Sequence, residues 1–156
     1  MADMQELIAR LEAAKEGGRE LDGRAARAFG WHRVEPRFAR NKHGGWIAPE
    51  DFIGLYSDGS PKLDGLHGTT IHRDPPRLTT SLDAALALAE RVLPGWQITL
   101  STKGGEMPPW VQIYPLPLEE DNYLDPEFAA TPALALCIAI LKAKALGTTP
   151  PDGEGR

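Results

Sequence analysis

The feature that most constrains this chain is a segment near its C-terminal end that is apolar on every side. Ala133 to Ala145 holds only two charged residues, Lys142 and Lys144, both toward its C-terminal end. Thr131 offers a capping hydroxyl, and Pro132 suits the first helical position because it lacks a donor and has a pre-set φ. Gly147 follows as a stop. A helix of this kind must be covered on more than one face. Its uninterrupted apolar run, Ala133 to Leu141, is far shorter than the roughly 20 residues that span a bilayer, so protein must supply the cover. At 156 residues the chain is long enough to do this with one continuous core. The segment is therefore predicted to be the central helix.

Three further helices can be placed. Met4, Leu7, Leu11 and Ala14 recur at helical spacing behind Asp3, and Gly17-Gly18 ends that segment. A second helix runs from about Arg19 to Phe29, with Leu21, Ala25, Ala28 and Phe29 on one side and Gly30 as its stop. The Gly-Gly joint predicts a helical hairpin of these two. The third helix opens at Thr80 or Ser81 and carries Asp83 in its first turn, where a carboxylate suits the positive helix end. Leu82, Ala85, Leu86, Ala89 and Leu93 form its stripe, and Pro94-Gly95 ends it.

Strands are fewer. Trp96 to Ser101 and Trp110 to Tyr114 alternate apolar and polar residues, and read as an antiparallel hairpin across the Gly- and Pro-containing loop Thr102 to Pro109. Trp46 to Tyr56 holds either another strand or, at Pro49-Glu50-Asp51, a helical turn. Leu116 to Ala130 reads as a polar, acidic connector. The predicted class is α+β, a helix/antiparallel sheet/helix sandwich of about four helices with a small sheet and a loop-rich middle segment. It is expected to be a single domain over residues 1–147, with 32–74 as a loop-rich insertion and 148–156 as a disordered tail. The predicted core is Leu7, Leu11, Leu21, Leu86, Ile98, Ile113, Leu134, Ile138 and Leu141.

Three stretches carry a resemblance. They are Glu20-Leu21-Asp22-Gly23-Arg24-Ala25-Ala26-Arg27-Ala28-Phe29-Gly30-Trp31, then Thr80-Ser81-Leu82-Asp83-Ala84-Ala85-Leu86 with Leu93-Pro94-Gly95-Trp96, and Ala130-Thr131-Pro132-Ala133-Leu134-Ala135-Leu136-Cys137. Together they resemble small phage and prophage proteins of the phage ABA sandwich domain family. The resemblance spans Met4 to Trp31 and about Pro75 to Gly147. It implies a layered helix–sheet–helix fold and a phage context, and it transfers no site residue. His32 to Asp74 lies outside it.

Cys137 is the single cysteine, set inside an apolar helix, where a buried inert thiol is the ordinary reading. A lone cysteine and an acidic start, Asp3 and Glu6, fit the host cytoplasm better than secretion. No cofactor template is met: there is no phosphate loop, no Gly-x-Gly-x-x-Gly, no nucleophile elbow, and Asp58 to Asp64 lacks the spacing of a calcium loop. His67 and His72, with Asp64 and Asp74, are the nearest approach to a metal-ligand set. The spacing from His67 to His72 matches no helical or turn pairing. A metal-dependent hydrolase is the third-ranked reading on these four.

A basic run is more informative. Arg24, Arg27, His32, Arg33, Arg37, Arg40, Lys42 and His43 fall in twenty residues, interleaved with Phe29, Trp31, Phe38 and Trp46. Arg33, Arg37, Phe38, Arg40, Lys42 and Trp46 are the candidate binding residues, since Arg and Trp are favoured interface anchors. The same mixture of cations and aromatics can hold phosphates and stack bases, so nucleic-acid binding is the second reading. Against it stands a net charge of −5 for the chain. The leading expectation is a non-enzymatic phage accessory protein that binds a host or phage protein through Arg33 to Asp74. No membrane partner is expected. Self-association is left open.

Overall fold

The computed structural model describes residues 2–63, 71–102, 106–115 and 124–147. The protein has a mixed α+β fold and divides into two compact units. One comprises residues 1–21 and 77–156, the other the continuous stretch 22–76.

In the first unit the apolar segment is helix α5 (Pro132–Gly147), with α1 (Ala2–Ala13) and α4 (Leu82–Val92) packed on it. A three-stranded antiparallel sheet, β5 (Gln97–Ser101), β6 (Trp110–Tyr114) and β7 (Glu127–Phe128), also meets it through β6 and β7. Elements from helices and sheet thus cover α5 on several sides, and Leu134, Leu136, Ile138, Ile140 and Leu141 are each 0% exposed. Its start is as the sequence indicates, with the Leu134 N–H donating to Thr131 Oγ1 at 3.2 Å. Ser81 caps α4 in the same way, accepting from the Ala84 N–H.

Register explains how the sheet meets the core. Ile98 lies opposite Ile113, and Leu100 opposite Val111, which places these four on one face. Val111 and Ile113 are buried, while Ile98 at the edge is half-buried. Glu127 lies opposite Val111, so it shares that face. Its carboxylate takes the Lys142 ammonium of α5 at 2.9 Å, and Glu12 of α1 meets the same ammonium at 3.2 Å. One of the two charges that interrupt the apolar segment therefore links α1, α5 and β7. The Glu127 hydrogen bond is the main reason the Lys142 pKa is raised.

Two sequence expectations are corrected here. Leu21, Leu86 and Ile98 are half-buried rather than core. In α4 the buried stripe is Ala85, Leu88 and Ala89, so Leu88 takes the central place expected for Leu86. The acidic connector also contributes β7, too short to show a period.

The second unit begins within α2 (Arg19–Ala28) and holds two small antiparallel pairs. Strand β1 (His32–Val34) pairs with β2 (Gly45–Ile47), and β3 (Phe52–Leu55) pairs with β4 (Pro61–Leu63). A four-residue helix α3 (Pro36–Ala39) lies between β1 and β2, and a 3-10 turn, Pro49–Asp51, lies between β2 and β3. Both of the alternatives for Trp46 to Tyr56 are thus realised in succession. His72 adds a bridge to β2, exchanging both backbone hydrogen bonds with Trp46. Val34, Trp46, Ile47 and Ala48 are buried.

Candidate docking surface

The second unit holds the basic run, and it differs in charge from the rest of the chain. Eight of the 17 Lys and Arg side chains and seven of the 22 Asp and Glu fall within residues 22–76. The unit is thus +1, while the remainder is −6.

The aromatic and cationic members of this run are largely committed to one another. Trp46 is only 7% exposed, with Gly23 of α2 against its ring and the Arg27 and Arg33 guanidinium groups 5.8 and 5.6 Å from its centroid. Arg33 does not reach outward. Its guanidinium donates to the carbonyls of Val34 at 2.9 Å, Gly45 at 3.0 Å and His43 at 2.8 Å, clamping the link into β2. Gly44 permits this, because its φ of 75° is left-handed and a Cβ there would strike that guanidinium.

The other rings are similarly engaged. His32 stacks on Phe52 with centroids 4.2 Å apart and planes 10° from parallel. Burial, and then the charge of Arg27, push the His32 pKa below its ordinary 6.5. Trp31 leans on the His72 ring at 5.7 Å. Phe38 is half-buried beneath the Arg37 guanidinium, 4.4 Å from its centroid, and its far edge approaches Gly59 in the β3–β4 turn. Arg37 also pairs with Glu35 at 3.2 Å.

Arg40 and Lys42 remain. Both are exposed, and among the described residues neither makes an ion pair. Arg40 closes α3 with a φ of 59°. Of the six candidate binding residues, then, α3 and the turn after it present Arg37, Arg40 and Lys42 outward. Trp46 is internal, and Arg33 and Phe38 are half-buried.

The β3–β4 hairpin presents a group that the sequence reading did not single out. Ile53, Leu55 and Tyr56 are 63%, 51% and 57% exposed. Lys62, from the opposite strand, holds its ammonium 5.3 Å from the Tyr56 ring centroid. The turn is fixed by Asp58, which accepts from the Ser60 hydroxyl at 2.6 Å and from the Ser60 N–H at 2.9 Å. These two bonds are the main reason its carboxyl sits below the usual carboxylate range, with the charge of Arg37 a smaller cause. Phe38 thus ties α3 to the turn of the hairpin. The alternation of Ile53 and Leu55 about Gly54 was visible as a strand pattern, but nothing in it told an open face from a covered one.

The metal-ligand hypothesis finds little to build on. Asp64 and His67 lie outside the described residues. His72 and Asp74 are exposed, and among the described residues no group of three His, Cys, Asp or Glu side chains could hold an ion. In the first unit a shallow pocket opens between Glu16, Thr79, Thr131 and Pro132. Its Thr79 hydroxyl is already spent on Gly18, accepting from the N–H at 3.0 Å and donating to the carbonyl at 3.3 Å. Among the described residues no helix is long and apolar enough to cross a membrane.

Comparison of the chain with protein-family profiles, curated proteins and solved structures finds no match.

Proposed function

We propose that this chain is a non-enzymatic binding protein, a phage or prophage accessory factor that acts by docking a host or phage protein on its second unit. The observation that carries this reading is the exposure of Ile53, Leu55 and Tyr56 on the β3–β4 hairpin. Large apolar side chains grouped on a surface favour a partner that removes them from water. The phage context rests on the resemblance of the three quoted segments.

A nucleic-acid reading has one observation in its favour, the exposed Arg40 and Lys42. Among the described residues of the second unit, little aromatic surface is free to stack on. Sequence-tolerant binding of single strands needs accessible aromatic faces beside the cations, and here Trp46, Phe52 and Phe38 are occupied by internal contacts. Tyr56 is the exposed ring of the group, and Lys62 already lies over it.

A photo-reactive benzoylphenylalanine at Tyr56 tests the proposal. In host extract it should give a discrete protein adduct, and the same group at Thr99, on β5, should not. Adducts of equal pattern from both positions, or none from either, would refute it.

A further inference from the structure

We infer that the chain self-associates through its first unit, strand β5 pairing antiparallel with β5 of a second copy about a two-fold axis. The two three-stranded sheets then join into one of six strands. This dimer is independent of docking on the second unit.

The backbone leaves the β5 edge open. β5 ends the sheet order β5–β6–β7, and among the described residues Gln97–Ser101 make no hydrogen bond beyond the ladder with β6. A free row of N–H and C=O groups is a template for another strand, and proteins blunt such edges with short strands, charge, proline or a bulge. The other edges here are blunted. β7 has two residues, one of them Glu127, and β1 and β2 have three each. β3 shifts register between Phe52 and Gly54, and β4 has three residues and begins with Pro61. β5 has none of these devices. Its five residues carry no charge and no proline, and they keep an unbroken register from Gln97 opposite Tyr114 to Ser101 opposite Trp110.

The side chains choose the occupant. Self-pairing centred on Thr99 sets Ile98 of each copy opposite Leu100 of the other, Gln97 opposite Ser101, and Thr99 opposite its own counterpart. It is the antiparallel register that uses all five residues. A two-fold axis normal to the sheet keeps both inner faces on one side. Ile98 and Leu100 share the inner face with Val111 and Ile113, but α5 packs on β6 and β7, and the two β5 side chains are left half-buried. Pairing gives each an aliphatic neighbour across the new ladder. On the outer face Gln97 and Thr99 are exposed, threonine opposite threonine can hydrogen-bond, and no like charges meet. A strand that fits its own reverse at every position is matched by a second copy without any further requirement on a partner. Five residues extend only about 17 Å, so the contact is small and the dimer depends on concentration.

Sedimentation velocity from about 1 µM to about 1 mM chain should show the mean mass rising from one copy toward two. Thr99→Lys and Thr99→Glu each set like charges opposite one another at the centre of the ladder, and each should weaken association by about tenfold or more. Thr99 is exposed, and circular dichroism checks that both variants keep their fold. Mixed in equal amounts, the two variants set Lys opposite Glu and should recover the dimer, as a register centred on this residue requires. Benzoylphenylalanine at Thr99 should give the chain's own dimer and no adduct with host protein, so it remains a control for the probe at Tyr56. Monomer at every concentration, association indifferent to both variants, or loss in both without recovery on mixing would overturn the inference. A host-protein adduct from Thr99 without self-association would give the edge to a different strand and overturn it as well.

Discussion

If α5 is covered on opposite sides, truncations two residues apart should both be expensive, which an amphipathic helix would not show. Ile138 and Ile140 are separated by about 200° around the helix axis, and both are 0% exposed. Replacing a buried isoleucine by alanine removes its transfer free energy and leaves a cavity, for about 2–5 kcal/mol. Both Ile138→Ala and Ile140→Ala are therefore expected to fall in that range. Their side chains leave the helix in nearly opposite directions and have different neighbours, so the double variant should be close to additive, at about 4–10 kcal/mol. That rivals the roughly 5–15 kcal/mol that stabilises a whole domain, and the double variant should be largely unfolded. Urea titration followed by far-ultraviolet circular dichroism measures each loss from the shift in midpoint at constant slope. If either single variant costs less than about 1 kcal/mol, that side of α5 is not packed as described and the argument fails.

Other perturbations test separate contacts. Thr79→Val keeps shape but strands the Gly18 N–H that the hydroxyl accepts from, and should cost about 1–3 kcal/mol, with Thr79→Ser retaining more of the bond; chemical denaturation distinguishes them. Lys142 has a raised pKa, so its ion pairs are in full effect below its ordinary 10.5 and are lost as pH rises through the raised value. Thermal melts should show a drop in stability on that alkaline limb, and Lys142→Met should flatten it. Arg33→Lys cannot reproduce a planar fork to three carbonyls and should speed amide exchange across residues 43–47, whereas Arg40→Lys, on an exposed cation, should leave exchange unchanged.

How much of this was legible in the sequence follows from where each signal originates. Helices α1, α2, α4 and α5 were readable because apolar period and stop agree over ten residues or more, and in α4 and α5 a capping hydroxyl agrees with them. The pair β5–β6 was readable because five alternating residues on each side fix a register. Of residues 32–63 only the turn at Pro49–Asp51 and the strand beside it were legible, as alternatives. With three or four residues apiece, β1, β2 and β4 cannot express a period, and α3 is a single turn set by Pro36 and the left-handed Arg40. Their order comes from contacts distant in sequence, such as the bridge from Trp46 to His72.

The same limit governs the docking surface. A run of cations and aromatics in sequence has two outcomes that look identical until it is folded: rings presented to a ligand, or rings and cations consuming one another. Here the second prevails for Arg33 and Trp46, because a guanidinium that satisfies three carbonyls also lies near the indole it helps to bury. Consumption of the aromatics has a consequence for the cations beyond it. Arg40 and Lys42 follow α3, where Phe38 and Arg37 have already closed on each other, and both stay exposed to water.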